Sequence, residues 1–149
     1  MDRDTETVIE ELSSDINQKA YCRLLLQLTA IDPDSISSEA FTANLKEIQS
    51  NPYHKILVAK KGDRLVGTIT VLIEPKIIHN LSRVAHIEDV IVDETVRGQG
   101  IGRLLVERAL DLGRIYGCYK VILDCSPHCM AFYSKMGFEH RGEQMAMYF

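Results

Sequence analysis

The segment best suited to chemistry is the glycine-rich stretch Val96–Gly102, which reads Val-Arg-Gly-Gln-Gly-Ile-Gly. It follows an alternating apolar run at 86–92 and opens a helical pattern, so its three glycines fall where a strand turns into a helix. Glycine permits positive φ there and lets backbone N–H groups approach a ligand. Because the first N–H groups of a helix are unpaired and carry the positive end of its dipole, this turn is suited to bind a pyrophosphate.

Two common glycine motifs do not fit this segment. A Walker loop places Lys and then Ser or Thr after its last glycine, whereas Arg103 and Leu104 follow here. The dinucleotide fingerprint is G-x-G-x-x-G, whereas Gly98, Gly100 and Gly102 form G-x-G-x-G. The remaining pattern, R/Q-x-x-G-x-G/A, resembles the acetyl-CoA loop of the GNAT N-acetyltransferases. An ordinary glycine-rich turn between a strand and a helix is the alternative.

Groups that could move protons lie on either side of the glycine segment. Glu88 and Asp89 precede it, Asp124 ends the next apolar run, and Tyr133 follows on a short helical pattern. Acetyl transfer to an amine needs a base for the amine proton and a donor for the leaving thiolate. Neighbouring strand residues point to opposite faces, so Glu88 and Asp89 share a task only if a bulge intervenes. The alternatives are that Glu88 and Asp89 are solvated charges at a strand end, that Asp124 caps a helix or turn, and that Tyr133 is a core residue.

Composition narrows the class of protein. A chain of 149 residues with 46% hydrophobic and 26% charged residues predicts one globular domain spanning 1–149. The net charge of −4 argues against nucleic acid as a partner, and no apolar run is long enough to span a membrane. The acidic start of the sequence argues against a signal peptide, so we expect a cytoplasmic protein, with targeting to an organelle as the alternative. Four cysteines form no C-x-x-C pair, and we expect no metal site.

Periodicity and turn residues predict the elements that position these groups. Asp15 or Asn17 is expected to cap the first helix, and Ser37 or Ser38 the second. Strands are predicted at 8–12, 54–60, 64–73, 85–92, 119–125 and from 138 onward, with helices at 18–28, 39–49, 101–116 and 127–136. The helix at 101–116 is expected to bury Ile101, Leu104, Leu105, Ala109, Leu112 and Ile115. The strand, helix and strand around the glycine turn predict a parallel crossover with the ligand at the carboxyl ends of the strands.

Four segments together resemble one family within the GNAT superfamily, the glucosamine-6-phosphate N-acetyltransferases. They are 86–92 (His-Ile-Glu-Asp-Val-Ile-Val), 97–102, 117–125 (Gly-Cys-Tyr-Lys-Val-Ile-Leu-Asp-Cys) and 132–138 (Phe-Tyr-Ser-Lys-Met-Gly-Phe). The resemblance implies an α/β GNAT fold, with a mixed central sheet and helices on both faces. It also implies direct transfer of acetyl from acetyl-CoA to the amine of D-glucosamine 6-phosphate, in UDP-N-acetylglucosamine biosynthesis.

The resemblance also implies roles for individual residues. Glu88, Asp89, Asp124 and Tyr133 would be catalytic, with Tyr133 as the acid for the coenzyme sulfur. The residues implied in coenzyme binding are Val90, Ile91, Val92, Arg97, Gly98, Gln99, Gly100, Ile101, Gly102, Arg103, Tyr133, Ser134 and Lys135. Those implied in binding the sugar phosphate are Thr29, Lys76, Ile77, Ile78, His79, Glu88, Asp89, Val90, Tyr119, Lys120 and Asp124.

One position departs from the family pattern. Some members carry an Arg near the C-terminus that contacts the substrate phosphate, and Tyr148 stands there in this chain. Arg141 or Arg83 could replace it, or Tyr148 could donate a hydrogen bond. The family is homodimeric, with C-terminal strands that contribute to the partner's substrate site, and the apolar end 145–149 is consistent with that or with a buried edge strand.

Two other functions remain open at this point. A GNAT enzyme for another amine, such as a protein N-terminus, a lysine or a polyamine, would make Lys76, Lys120 and Thr29 dispensable. A sensor that binds acyl-CoA without turnover would keep the fold, but the presence of Glu88, Asp89 and Tyr133 argues against it.

Overall fold

In the computed structural model, which describes residues 5–149, five strands form one sheet in the order β1-β2-β3-β4-β5. The strands are β1 (Thr7–Glu11), β2 (His54–Lys61), β3 (Arg64–Pro75), β4 (Arg83–Val92) and β5 (Cys118–Leu123). The helices are α1 (Gln18–Leu25), α2 (Ser38–Ser50), α3 (Ile101–Ile115) and α4 (Met130–Ser134). Neighbouring strands are antiparallel from β1 to β4, whereas β4 and β5 are parallel and joined through α3. The predicted crossover is therefore confirmed.

The helices cover both faces of the sheet, as the predicted fold class requires. Along β2, Leu57 and Ala59 join one hydrophobic cluster, which contains the buried side of α3. Val58 joins a second cluster, with Tyr21 of α1 and Leu45 of α2. Because side chains alternate along a strand, β2 carries one apolar layer on each face. α1 and α2 lie over β2 and β3, which leaves the same face of β5 uncovered by a helix of the described chain.

The caps show which polar residues fix the helix starts. The Asn17 side chain accepts a hydrogen bond from the Ala20 N–H, and the Ser37 side chain accepts one from the Ala40 N–H. Each bond satisfies an N–H group that the first helical turn leaves without a partner. Asn17 rather than Asp15 therefore caps α1, and Ser37 rather than Ser38 caps α2.

Three sequence predictions are wrong in detail. α1 ends at Leu25 rather than at 28, and Leu104 and Ile115 on α3 are 42% and 77% exposed. Val106 and Gly113 are buried in place of these two side chains, because α3 presents a face rotated from the one that apolar residues alone suggested. No strand forms after 138: residues 139–149 pair with no strand, and the apolar end 145–149 is exposed although the outer edge of β5 has no neighbour in the described chain.

The connection between β3 and β4 contains the turn Ile78–Leu81, whose backbone is left-handed. His79, Asn80 and Leu81 have φ of 52°, 56° and 62°. Residues other than glycine adopt this region rarely, because Cβ approaches the backbone there.

None of the helices that the structure describes has the length and apolar character needed to cross a lipid bilayer.

The rotated face of α3 gives a direct test of the packing. Leu105 is fully buried in the core, so Leu105→Ala should lower the free energy of unfolding by about 3 kcal/mol through lost burial and a cavity. Leu104→Ala removes the same atoms from an exposed position and should cost less than about 1 kcal/mol. Urea unfolding followed by circular dichroism measures both variants. Equal losses would contradict the orientation of α3.

Candidate active site

A bulge in β4 sets the direction of the two predicted carboxylates. Thr70 pairs with Glu88 and Thr68 pairs with Ile91, so two residues of β4 lie opposite one residue of β3. The extra residue falls at Asp89, whose φ is 50°. A bulge of this kind breaks the strict alternation of side chains and re-aims the chain locally. Neighbouring strand residues can share a task only when a bulge intervenes, and the bulge at Asp89 meets that condition for Glu88 and Asp89.

The same strand separates from β5 at this point. The β4–β5 pairing ends with Ile87 opposite Leu123, so Glu88, Ile91 and Val92 pair with β3 while none of 88–92 has a β5 neighbour. The predicted coenzyme segment Val90–Val92 lies in this opening. Backbone N–H and C=O groups on that side of β4 are thus left for a ligand. One of them is partly used, because Arg97 Nε donates to the Val92 carbonyl at 3.1 Å.

The glycine-rich loop connects the opening to α3. Gly98 and Gly100 both have φ of 81°, and no atom lies within 4 Å of the place a Cβ would take at either residue. Gly100 is the N-cap of α3, so the first N–H groups of that helix face the loop. Gly102 has a different role, because a Cβ there would lie 3.5 Å from the Phe132 ring. The structure thus has an open turn at Gly98–Gly100 and close packing at Gly102.

A groove of about 870 Å³ brings three of the four predicted catalytic residues together. Glu88, Asp124 and Tyr133 line it, and Asp89 lies beside Glu88 at the bulge. The groove follows the edge of β5 that faces away from β4, where the described chain has no further strand. Its far wall is the segment 137–144. Lys120 and Ser134 also line this groove, whereas Lys135 ends α4 on the exposed surface.

The carboxylates influence one another electrostatically. Partial desolvation is the main cause that raises the pKa of Glu88, which stays exposed, and the negative charges of Asp89 and Asp124 raise it further. Desolvation and like charges both disfavour the ionised form. A carboxyl group with a raised pKa is a better proton acceptor than an ordinary surface glutamate.

Tyr133 occupies a more apolar environment. Its ring packs edge-on against Phe132 and Phe138, with centroids 5.0 and 5.7 Å away. Burial, with smaller contributions from Cys129 and Cys125, raises the pKa of Tyr133 to about 12. The phenol is therefore protonated at neutral pH and acts as a hydrogen-bond donor.

The predicted sugar-phosphate residues fall in two places. Thr29 follows α1, and this end of α1 is tied to the loop after β4, because Gln27 Oε1 accepts the Glu94 N–H at 2.9 Å. At the other end of β4, His79 stacks on Tyr119 with ring centroids 4.2 Å apart. Lys120 lies four residues before Asp124, which is about 13 Å along a strand.

Lys76 is held near this second group. Its Nζ contacts Glu74 Oε1 at 2.9 Å, and the same oxygen contacts His86 Nε2 at 2.9 Å. Ile77 and Ile78 are exposed in the turn between β3 and β4. The structure thus groups Lys76, His79, Tyr119 and Lys120 at one end of the strands and places Thr29 at the other.

The candidates for the missing C-terminal Arg can now be separated. Arg83 is committed elsewhere, because its guanidinium donates to the Tyr116 carbonyl at 3.1 Å and lies over the Tyr53 ring. Arg141 lines the groove beside its ion-pair partner Glu139, whereas neither Arg83 nor Tyr148 is among the lining residues. Arg141 is therefore the better placed of the three.

Sequence reasoning missed two parts of the groove. His86 lies on it two residues before Glu88, a spacing that places both on one face of a strand and could have revealed it. The segment 139–144 forms the far wall, but its polar sequence carries no signal of that position.

Comparison with known proteins agrees with this geometry. The sequence model of the acetyltransferase (GNAT) family matches residues 21–138. The chain belongs to the GNAT acetyltransferase family. A rice protein described as probable glucosamine 6-phosphate N-acetyltransferase 2 is 40% identical over 95% of this chain and 87% of its own length. The Arabidopsis thaliana glucosamine 6-phosphate N-acetyltransferase is 38% identical over 95% of each chain.

Solved structures show the same GNAT fold. The crystal structure of the Arabidopsis thaliana enzyme matches with a TM-score of 0.91 at 37% identity, covering 97% of this chain and 99% of the other. A Trypanosoma brucei acetyltransferase matches with a TM-score of 0.87 at 32% identity, covering 97% and 100%. As a GNAT acetyltransferase, this chain is an enzyme, and its family uses acetyl-CoA as the acetyl donor.

Because the pKa of Glu88 is raised, replacing Glu88 with an uncharged residue should increase the stability of the protein by an amount that depends on pH. The folded protein keeps the Glu88 proton to higher pH than the unfolded chain does, so stability falls as pH rises above the ordinary value of 4.5. Glu88→Gln removes the ionised form and should raise the melting temperature at pH 7. At pH 3.5, where Glu88 is protonated in both states, the gain should vanish.

Thermal unfolding at both pH values checks this, with Glu107→Gln as the control. Glu107, on α3, forms an ion pair with Arg103 at 2.8 Å. A Glu88→Gln gain of the same size at both pH values would contradict the electrostatic explanation.

The open glycine turn predicts a loss of coenzyme binding when it is filled. Gly100→Val adds a branched side chain at φ of 81°, at a backbone cost of about 1–2 kcal/mol, in the space over the loop. Acetyl-CoA affinity, measured by calorimetry, should fall at least about tenfold. Gly117→Val is the matched control, because Gly117 has φ of 71° and equally open space but lies at the other end of α3. Wild-type affinity in Gly100→Val would refute the assignment of this loop.

Proposed function

We propose that this chain transfers acetyl from acetyl-CoA to the amine of D-glucosamine 6-phosphate, giving N-acetyl-D-glucosamine 6-phosphate and CoA. The observation that carries the proposal is that Glu88, Asp124 and Tyr133 line one groove next to the point where β4 leaves β5. The names of relatives that are 38–40% identical over most of their length support the choice of substrate. A single domain spanning 1–149 carries out the reaction.

Acetyl-CoA binds along the opening of β4. The backbone of Val90–Val92 pairs with the pantetheine arm, and the segment Arg97–Arg103 holds the pyrophosphate at the start of α3. Ser134 and Lys135 contact the coenzyme from α4. A free N–H of β4 faces the thioester oxygen, where it stabilises the negative charge that develops during attack.

The carboxylates act on the sugar amine. Asp89 and Asp124 orient the ammonium group, and Glu88, with its raised pKa, accepts a proton directly or through water. The neutral nitrogen then attacks the thioester carbon, a C–N bond forms, and the C–S bond breaks. The second amine proton leaves for the same carboxylate cluster or for solvent.

Tyr133 serves the departing sulfur as a hydrogen-bond donor. A thiol has an ordinary pKa near 8.5, well below the pKa of about 12 of this phenol. Complete proton transfer from Tyr133 to the thiolate would therefore be uphill. Its hydrogen bond stabilises the thiolate, and solvent supplies the final proton.

The sugar phosphate is bound by cations and polar groups of the groove. Lys120 and Arg141 line it, and Lys76 stands beside it in contact with Glu74. Tyr119 and the segment Lys76–His79 complete the group at this end of the strands. Thr29, at the other end, is the remaining residue that the family resemblance implies. Charged donors of this kind suit a phosphomonoester.

The active enzyme is a homodimer in which each C-terminal segment contributes to the partner's substrate site. Met145, Met147, Tyr148 and Phe149 are all at least 79% exposed, and the edge of β5 beside the groove is open. Exposed apolar ends and open strand edges favour association. Analytical ultracentrifugation measures this oligomeric state. We also propose that the enzyme acts in the cytoplasm, in UDP-N-acetylglucosamine biosynthesis.

Release of CoA thiol tests the proposed substrate directly. With acetyl-CoA fixed, D-glucosamine 6-phosphate should give a kcat/KM at least about a hundredfold above that of D-glucosamine, because the phosphate contacts are lost with the free sugar. Equal turnover of both sugars, or turnover only with a peptide or polyamine, would redirect the assignment to another amine. Tight acetyl-CoA binding without turnover on any amine would favour a sensor.

Lys120→Met refines the same test. It should raise KM for D-glucosamine 6-phosphate about tenfold and leave the slow reaction of D-glucosamine unchanged, since only the phosphorylated sugar uses this cation. Lys46→Met, on the exposed surface of α2, is the control and should match the wild type. An equal effect of Lys120→Met on both sugars would remove it from the phosphate site.

A further inference from the structure

The hairpin between β2 and β3 places a cation against the glycine-rich loop. Lys61, the last residue of β2, donates from Nζ to Gln99 Oε1 at 2.7 Å. Gln99 lies between Gly98 and Gly100, whose open positive-φ turns form the proposed pyrophosphate cradle. The Lys61 ammonium is thus fixed within one side-chain length of the loop backbone.

The charge of Lys61 has no carboxylate partner within residues 5–149. The neighbouring hairpin residue Arg64 differs, because it contacts Asp93 at 3.4 Å. Arg103 in the first turn of α3 is likewise neutralised by Glu107 at 2.8 Å. Lys61 contacts a neutral carboxamide instead. An ammonium has three N–H donors, and the bond to Gln99 uses one of them.

We propose that Lys61 is a coenzyme-binding residue that donates to a phosphate of acetyl-CoA. The proposal rests on the proposed function, since it requires acetyl-CoA at the glycine-rich loop. Acetyl-CoA carries two kinds of phosphate, the diphosphate and the ribose 3′-phosphate, and either suits a charged N–H donor. In a protein with a net charge of −4, an unneutralised cation at this place favours a polyanionic ligand.

A purely structural role is the alternative. In that case Lys61 would hold Gln99 and the loop in place, and its charge would matter only through that bond. The two roles differ in their dependence on salt and on the phosphates of the ligand, because a direct contact between ammonium and phosphate is screened by ions.

The experiment compares three variants by calorimetry with acetyl-CoA and with acetyl-3′-dephospho-CoA, each at low and high salt. Lys61→Met removes the charge, and Gln99→Met removes the bond while keeping the ammonium. Lys60→Met is the matched control, because Lys60 is the neighbouring lysine on β2 and contacts Glu10 of β1 instead of the loop.

Lys61→Met should bind acetyl-CoA about tenfold more weakly and with a shallower salt dependence. Lys60→Met should bind as the wild type does, and Gln99→Met should lose less affinity than Lys61→Met and keep the wild-type salt dependence. A loss confined to acetyl-CoA identifies the 3′-phosphate as the contact, whereas an equal loss with both ligands identifies the diphosphate.

Two results would overturn the proposal. One is wild-type affinity of Lys61→Met for both ligands, and the other is a Gln99→Met variant that reproduces the whole loss. Either result leaves the proposed function standing as long as the wild type binds acetyl-CoA and Gly100→Val binds it at least about tenfold more weakly. Failure of the wild type to bind acetyl-CoA would instead reject the proposed function itself.

Discussion

The incomplete pairing of β4 is the constraint on which the site depends. β4 pairs with β3 on both sides of the bulge but with β5 only as far as Ile87, so the strand is rigid on one edge and open on the other. The Asp89 bulge occurs just beyond that point, and the glycine turn follows within a few residues. A ligand that pairs with 88–92 therefore meets a preformed edge, and the carboxylates and the start of α3 lie at fixed positions along it.

Charge is sorted along this site in a way that matches the proposed reaction. Lys61, Arg97 and the start of α3 lie at one end, and Lys76 and Lys120 lie towards the other, while acidic groups occupy the centre. Phosphate groups at the two ends would meet cations and helix N–H groups, and an amine at the centre would meet carboxylates. Desolvation, and then the opposing charges of Asp89 and Asp124, raise the pKa of Glu88, which improves it as a base at a cost in stability.

Most of the framework was predictable from sequence because it depends on local patterns. Alternating apolar residues located β2 to β5, and the crossover followed from the strand, helix and strand around the glycines. The bulge at Asp89 was not predictable, since it reflects a register between strands that residues 88–91 do not encode alone. Leu104 and Ile115 were misplaced because periodicity gives the width of an apolar face but not which of its edges contacts the sheet. The final strand was wrongly predicted because apolar residues alone do not show that a segment reaches a strand edge: 145–149 stays exposed although β5 has no further neighbour among the described residues.

The environment of Tyr133 shows why position matters more here than acid strength. Two phenylalanine rings and burial keep its phenol protonated, with a pKa of about 12. A stronger acid would bring little gain, because a thiolate is already a good leaving group near neutral pH. In the proposed reaction, a donor that never ionises would instead hold one hydrogen bond throughout, so the leaving sulfur would meet the same partner before and after the C–S bond breaks. The aromatic packing that weakens Tyr133 as an acid is therefore what makes it a constant donor.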